Sequence, residues 1–321
     1  MNIQRWIGRR EKSWKELNTL LQKAEKQGMK TLNATEIRQL ASLYRSAAAD
    51  LARARTQQVG DRLTRNLQNL TARGYAQVYQ GSRRQEWQAL REFVLWGFPA
   101  AVQRSAGYIA LATGLFILAG LVAWWFAWND PTFMALVVPQ AMIEQVRDRG
   151  ELWMGRIIGI EPYASSTIMI NNIKVSFGAV AGGITGGLFT TYVMILNGIL
   201  IGTVGVLVGQ NNLALPFWAF VFPHGSLELP AIFLAGGAGF LIARALLFPG
   251  CYRRMDALKL YGAEAAQLVF GVVPMLFIAG IIEGFFSPSP IVPDGVKYLV
   301  GAGLFVGLVF YLQRRRSQPS A

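Results

Sequence analysis

The stretch Pro223-His224-Gly225-Ser226-Leu227-Glu228-Leu229-Pro230 puts the only histidine of the chain four residues before a carboxylate, at the mouth of an apolar run. Imidazole, hydroxyl and carboxylate are the residue types of a base, a nucleophile and an orienting group. Ser226 lies too close to His224 in sequence to reach triad geometry easily. Polar groups at membrane depth are costly and invite a functional reading. Two readings compete. In one, His224 and Glu228 pair to satisfy a half-buried turn; in the other, they bind a partner or ligand, or move a proton. A helical backbone would stack them one turn apart on one face. Pro230 cannot donate to the residue four before it. The sequence therefore predicts that a helix starts near Pro230, with His224 and Glu228 in a shaped turn. Gly225 permits a positive φ there, and the carboxylate sits favourably near the helix amino terminus.

Asn171, Asn172 and Asn197 are further candidates for partner or ligand binding, with Lys174 beside the first two. Asparagine bonds between spans are worth about 0.6–2 kcal/mol in lipid. Arg244 and Glu283 are expected to snorkel toward the interfaces. Cys251 is the only cysteine, so neither an intrachain disulfide nor a cysteine metal cluster can form. A single histidine excludes His-rich zinc sites and the HExxH type. No metal, cofactor or catalytic residue is expected.

These residues must be positioned by a chain that changes character at about residue 100. The first 98 residues carry 18 Lys/Arg and 8 Asp/Glu, a net +10, and most of the remaining chain is apolar. The fold class expected is all-α: a polytopic transmembrane helical bundle with an N-terminal cytoplasmic helical domain. Residues 1–98 form the basic domain. Residues 99–321 form the Gly-rich transmembrane domain, including an amphipathic extracytoplasmic segment at about 129–165. Residues 1–20 hold no apolar h-region. The overall charge of +13 is read as positive flanks of membrane spans facing anionic lipid, not as a nucleic-acid surface.

Helical spacing predicts amphipathic helices over 10–27, from Ile37 to Leu51, and from Asp61 to Gln80. Asn33-Ala-Thr-Glu36 reads as a capping box. Spans are predicted at Ala106–Trp128, Leu229–Phe248, Gln267–Phe285 and Val296–Leu312. Ser166–Gly209 would be about 66 Å long as one helix, roughly twice the bilayer core. Gly178, Gly182 and Gly186, and the pair Gly198 and Gly202, have the four-residue spacing that lets helix backbones approach closely. Arg253, Arg254, Lys259 and Arg314–Arg316 should share the cytoplasmic side with the N-terminal domain. That requires Ser166–Gly209 to be a hairpin and gives six crossings; one helix there gives five.

Several stretches together resemble one known family. They are Trp14-x-x-Leu17, Leu43-Tyr44-Arg45 through Asp50-Leu51-Ala52, Ala72-Arg73 through Tyr79, Asn197-Gly-x-x-x-Gly202, and His224-Gly225-x-x-Glu228-Leu229. The chain resembles the stage II sporulation protein M family over nearly its whole length and in the same order. The HGxxE element before a glycine-rich span is the most specific part. Arg314–Arg316 has no place in that pattern. The resemblance implies an integral membrane protein of the bacterial inner membrane with a cytoplasmic amino-terminal region. In spore formers the namesake anchors peptidoglycan-degrading proteins; wider relatives occur in bacteria that never sporulate. Three functions stand as expectations. The first is a membrane scaffold for membrane or envelope protein partners, embedded in the lipid bilayer. The second is a solute or lipid transporter with a polar site near the HGxxE turn. The third is an intramembrane hydrolase. The GxxxG runs permit homo-oligomer contacts and serve contacts within one chain equally well.

Overall fold

The computed structural model describes residues 3–79, 83–154, 159 and 161–315, and these contain no strand. The chain divides into two compact units, Met1–Glu92 and Phe93–Ala321. The division falls before residue 98 because Phe93 already packs within the second unit, edge-on to the Phe270 ring at 6.3 Å.

The first unit is built from α1 (Ile3–Gln27), α2 (Ala34–Thr56), α3 (Asp61–Tyr79) and α4 (Arg83–Glu92). Gly28, at φ +89°, stops α1. Asn33 and Glu36 form the reciprocal capping box that opens α2. Lys23 and the Asn33 backbone N–H hold the Glu36 carboxyl below the usual carboxylate range. Leu17, Leu20, Leu21, Leu40, Ala47 and Leu70 form one core of this unit. A second, smaller core holds Trp6, Ala54 and Leu67. Asp50 is buried between them and accepts from Arg10 Nε at 2.8 Å and Trp14 Nε1 at 2.9 Å.

In the second unit a π-helical turn at Phe93–Gly97 leads to α5 (Phe98–Arg104) and then α6 (Ala106–Asn129). Two short helices come next, α7 (Pro131–Val137) and α8 (Gln140–Arg149). Neither is long enough to cross a bilayer. Met134, Val138, Ile143 and Val146 turn their apolar side onto Val204, Leu207 and Phe217. The remaining helices are α9 (Glu161–Ala181), α10 (Leu188–Gln210), α11 (Ala214–Leu247), α12 (Arg254–Ile281, continued as a π-helical stretch to Phe286) and α13 (Asp294–Leu312). Among the described residues five helices are long and apolar enough to cross a membrane: α6, α10, α11, α12 with its continuation, and α13. Exposed Trp124, Trp125 and Trp128 close α6.

The predicted break inside Ser166–Gly209 is present. Helix α9 ends at Ala181, and after a short turn Gly186 and Gly187 take φ +70° and +86° to reverse the chain into α10. The Gly178/Gly182/Gly186 run is therefore not one helical face. A Cβ on Gly178 would make ordinary contact, Gly182 faces the Thr190 backbone of its own hairpin, and Gly186 serves the turn. A Cβ on Gly182 would overlap that Thr190 backbone, and further close crossings lie outside the run. A Cβ on Gly198 would overlap the carbonyl oxygen of Phe116, and one on Gly202 that of Gly120, so α10 and α6 meet backbone to backbone. Gly239 meets the Ala179 carbonyl of α9 in the same way.

The contacts also show which ends of the helices lie together. Gln103, just before α6, donates to the carbonyls of Leu312 and Arg314 at the end of α13, at 2.8 and 3.0 Å. Arg104 donates to Gln267 of α12 at 2.9 Å. At the opposite end Tyr298 donates to Leu215 at the start of α11, and Ser165 of α9 donates to the Gly280 carbonyl of α12. Arg254 and Lys259, predicted in a loop, belong to the first turns of α12. The connection between α11 and α12 keeps Cys251 exposed. Arg316 lies outside the described residues.

Candidate functional site

Helix α11 runs without interruption through Pro223 and Pro230, which corrects the expectation of a turn there. Each proline removes one donor to the carbonyl four residues earlier. Within a packed membrane bundle, neighbouring helices and hydroxyl side chains make such losses tolerable. Ser226 Oγ donates to the Pro223 carbonyl at 2.8 Å. His224, Gly225 and Glu228 thus sit on a helix, and Gly225 needs no positive φ. His224 and Glu228 are one turn apart and look into the same space.

That space is a cavity of about 500 Å³. Its apolar walls include Met142, Trp153, Leu200, Phe217, Trp218 and Val221. Among the described residues His224, Glu228 and Glu283 supply its ionisable groups. His224 Nε2 stands 3.8 Å from Glu283 Oε1, and one donor atom from each of the three residues lies within 4.8 Å of the other two. Nδ1 of the same imidazole is 3.1 Å from Ser287 Oγ. The Phe220 ring meets the imidazole edge-on at 5.4 Å. Glu283 Oε2 is fully buried and has no hydrogen-bond partner among the described residues.

Glu283 is the residue that sequence reasoning missed. It does not snorkel; its side chain is 12% exposed and turns toward His224. The π-helical stretch at Ile282–Phe286 carries it, and such one-turn widenings are frequent at functional sites. The asparagines do not join this group. Asn197 donates to the Val193 carbonyl of its own helix at 2.8 Å and lines a separate pocket with Phe133 and Leu136. Asn171 is exposed on α9, and neither it nor Asn172 lines the cavity.

A nucleophilic mechanism finds little support in this arrangement. Ser226 is committed to a backbone carbonyl, and the hydroxyl that does reach His224 belongs to Ser287. Ser287 has no exposed surface and does not line the cavity.

The model of the family described as stage II sporulation protein M matches residues 112–288, more than half of the chain. The chain belongs to the stage II sporulation protein M family. The matched region contains all of the helices that form the cavity, together with His224, Glu228, Glu283 and Ser287. Residues 4–80 match a second model, described as a domain of unknown function (DUF8413). An uncharacterized protein of Methanocaldococcus jannaschii is 40% identical over 80 residues, which are 24% of this stage II sporulation protein M family chain and 43% of that relative. The match thus spans less than half of the relative's length. No solved structure matches the chain.

Proposed function

We propose that this multi-pass membrane protein is a scaffold of the bacterial inner membrane that holds a membrane or envelope protein partner at the cavity beside His224. The observation that carries this reading is the composition of the cavity. Among the described residues its ionisable groups are gathered in one cluster, and its remaining walls are almost entirely apolar. A conduction path for a polar solute needs polar groups staged along its length. An apolar cavity with a single polar cluster suits an apolar segment held at one point. The close Gly198–Phe116 and Gly202–Gly120 approaches favour a rigid frame for such holding.

In this reading α9 is the sixth crossing. Its 21 residues reach about 31 Å at 1.5 Å per residue, and its two ends meet opposite ends of the bundle. Arg104, Arg253, Arg254, Lys259, Arg314 and Arg315 then belong to the cytoplasmic side, as does the basic N-terminal unit. The cavity, roofed by Met142 and Trp153 of the segment after α6, belongs to the extracytoplasmic half.

The test is affinity capture from native membranes solubilised in mild detergent. Wild type is compared at equal abundance with His224→Ala/Glu228→Ala and with Val221→Trp, which fills the cavity. One specific partner present with wild type and lost with both variants is the expected result. Identical recovery from all three proteins sinks the scaffold reading, and solute uptake into proteoliposomes then becomes the assay of choice.

A further inference from the structure

We propose that His224, Glu228 and Glu283 bind one divalent transition-metal ion. The donor set suits such an ion. One imidazole and two carboxylates from α11 and the end of α12 bring their donor atoms within 4.8 Å of one another. Donors around a zinc-sized ion at about 2.0–2.2 Å stand roughly 3.3–3.6 Å apart. Closing that difference asks each donor atom to move by about 1 Å or less, a distance on the scale of side-chain rotation.

The cluster also holds an orphaned acceptor. Among the described residues Glu283 Oε2 is buried with no hydrogen-bond partner. A buried acceptor left unpaired costs about 1–3 kcal/mol, and more if it is charged. Charge points the same way. Two carboxylates face the cavity, and among the described residues no lysine or arginine lines it. Among the described residues, no side-chain cation is paired with Glu228 or Glu283 except through the imidazole of His224. A divalent ion supplies two positive charges to two carboxylates.

The imidazole, finally, is supported from behind. Nδ1 lies 3.1 Å from Ser287 Oγ; in the tautomer that metal binding selects, Nδ1–H donates to that hydroxyl and Nε2 keeps its lone pair toward Glu283. A hydrogen bond from the far ring nitrogen is the usual way in which a metal-binding histidine is fixed in tautomer and orientation. Ser287 is fully buried, so it acts as a positioning residue with no access to the cavity. Three protein donors leave coordination positions facing the cavity, where a ligand atom or water completes the shell. One nitrogen and two carboxylate ligands suit zinc, manganese or iron(II) better than magnesium or calcium. A lone histidine and a lone cysteine exclude sites built from several of either, and the fold completes the donor set with two glutamates instead.

The experiment uses full-length protein in detergent micelles. The protein is stripped with EDTA, exposed to Zn²⁺, Mn²⁺ or Co²⁺ in turn, and freed of excess ion on a desalting column. Elemental analysis is expected to find about one ion per wild-type chain for at least one of the three metals. His224→Ala and Glu283→Gln are expected to keep about a tenth or less of that amount. Ser287→Ala should weaken binding about 10- to 100-fold, as loss of an outer-shell partner typically does. Glu264→Gln, at the opposite end of the bundle, should bind like wild type. Should the ligand variants fail to fold, the visible absorption of Co²⁺ bound to wild type still decides, because ligation by imidazole and carboxylate produces bands that the aqueous ion lacks. Wild type without stoichiometric metal overturns the proposal, as does undiminished binding in folded His224→Ala and Glu283→Gln.

Discussion

Gly198→Ala is expected to destabilise the membrane bundle by about 3 kcal/mol, although it adds a single methyl group. Overpacking ordinarily costs about 1–3 kcal/mol because neighbouring side chains give way. Here the obstacle is the carbonyl oxygen of Phe116, with Ala119 Cβ 3.2 Å from the added carbon. A carbonyl inside a helix cannot rotate aside without breaking its own hydrogen bond. Helices α6 and α10 must instead separate, and the loss spreads to Gly202 against Gly120. Gly209→Ala is the control. It lies on the same helix, four residues after Gly205, yet a Cβ there meets nothing within 4 Å. Alanine for glycine within a helix gains about 0.5–1 kcal/mol when space allows. Thermal unfolding in detergent, read by loss of the monodisperse elution peak, should separate the two variants clearly. Equal melting would show that α6 and α10 do not cross at this contact.

Asp50→Ala is expected to cost the N-terminal unit about 3 kcal/mol. The Asp50 side chain is 7% exposed, and its carboxylate holds Arg10 and the Trp14 indole N–H together. Arg10 also reaches Ser46 of α2. Truncating one member of a buried pair leaves the other charge uncompensated, at a typical cost of about 3–5 kcal/mol. Arg10 is 29% exposed at its side chain, so water recovers part of that cost and the lower figure applies. Replacing both partners with apolar residues, Arg10→Met with Asp50→Leu, should cost much less, since neither charge remains to be solvated. Hydrogen exchange over α1 and α2 in the full-length protein is the direct readout. About 3 kcal/mol corresponds to roughly 150-fold faster exchange of the best protected amides if they open by global unfolding of the unit. Protection unchanged in Asp50→Ala would show that the pair contributes nothing to stability.

Local signals were legible in the sequence, and relations between distant segments were not. The Asn33–Glu36 capping box needs only four residues to define it, and it forms as expected. The break after Ala181 follows from length alone, because a helix of that extent has no place in one bilayer crossing. The turn expected at His224 failed for a physical reason. The rule that proline ends a helix weighs a lost hydrogen bond against water, and a tightly packed membrane helix has no such competitor. Gly178, Gly182 and Gly186 have the spacing of a packing motif, but spacing does not reveal where the chain reverses. Glu283 was the largest omission. It lies 55 residues beyond Glu228, and nothing local distinguishes it from a carboxylate that reaches for the interface. Only the packing of α12 on α11 brings it to the imidazole.

The exposed Cys251 between α11 and α12 gives the wild-type chain a natural address label. With one thiol in the whole sequence, no other cysteine has to be removed before chemical tagging. The proposed six-crossing path puts this thiol on the cytoplasmic face. A maleimide that cannot cross lipid should therefore leave sealed right-side-out vesicles unmodified and tag inverted ones. Tagging of the right-side-out vesicles alone would turn the whole path around.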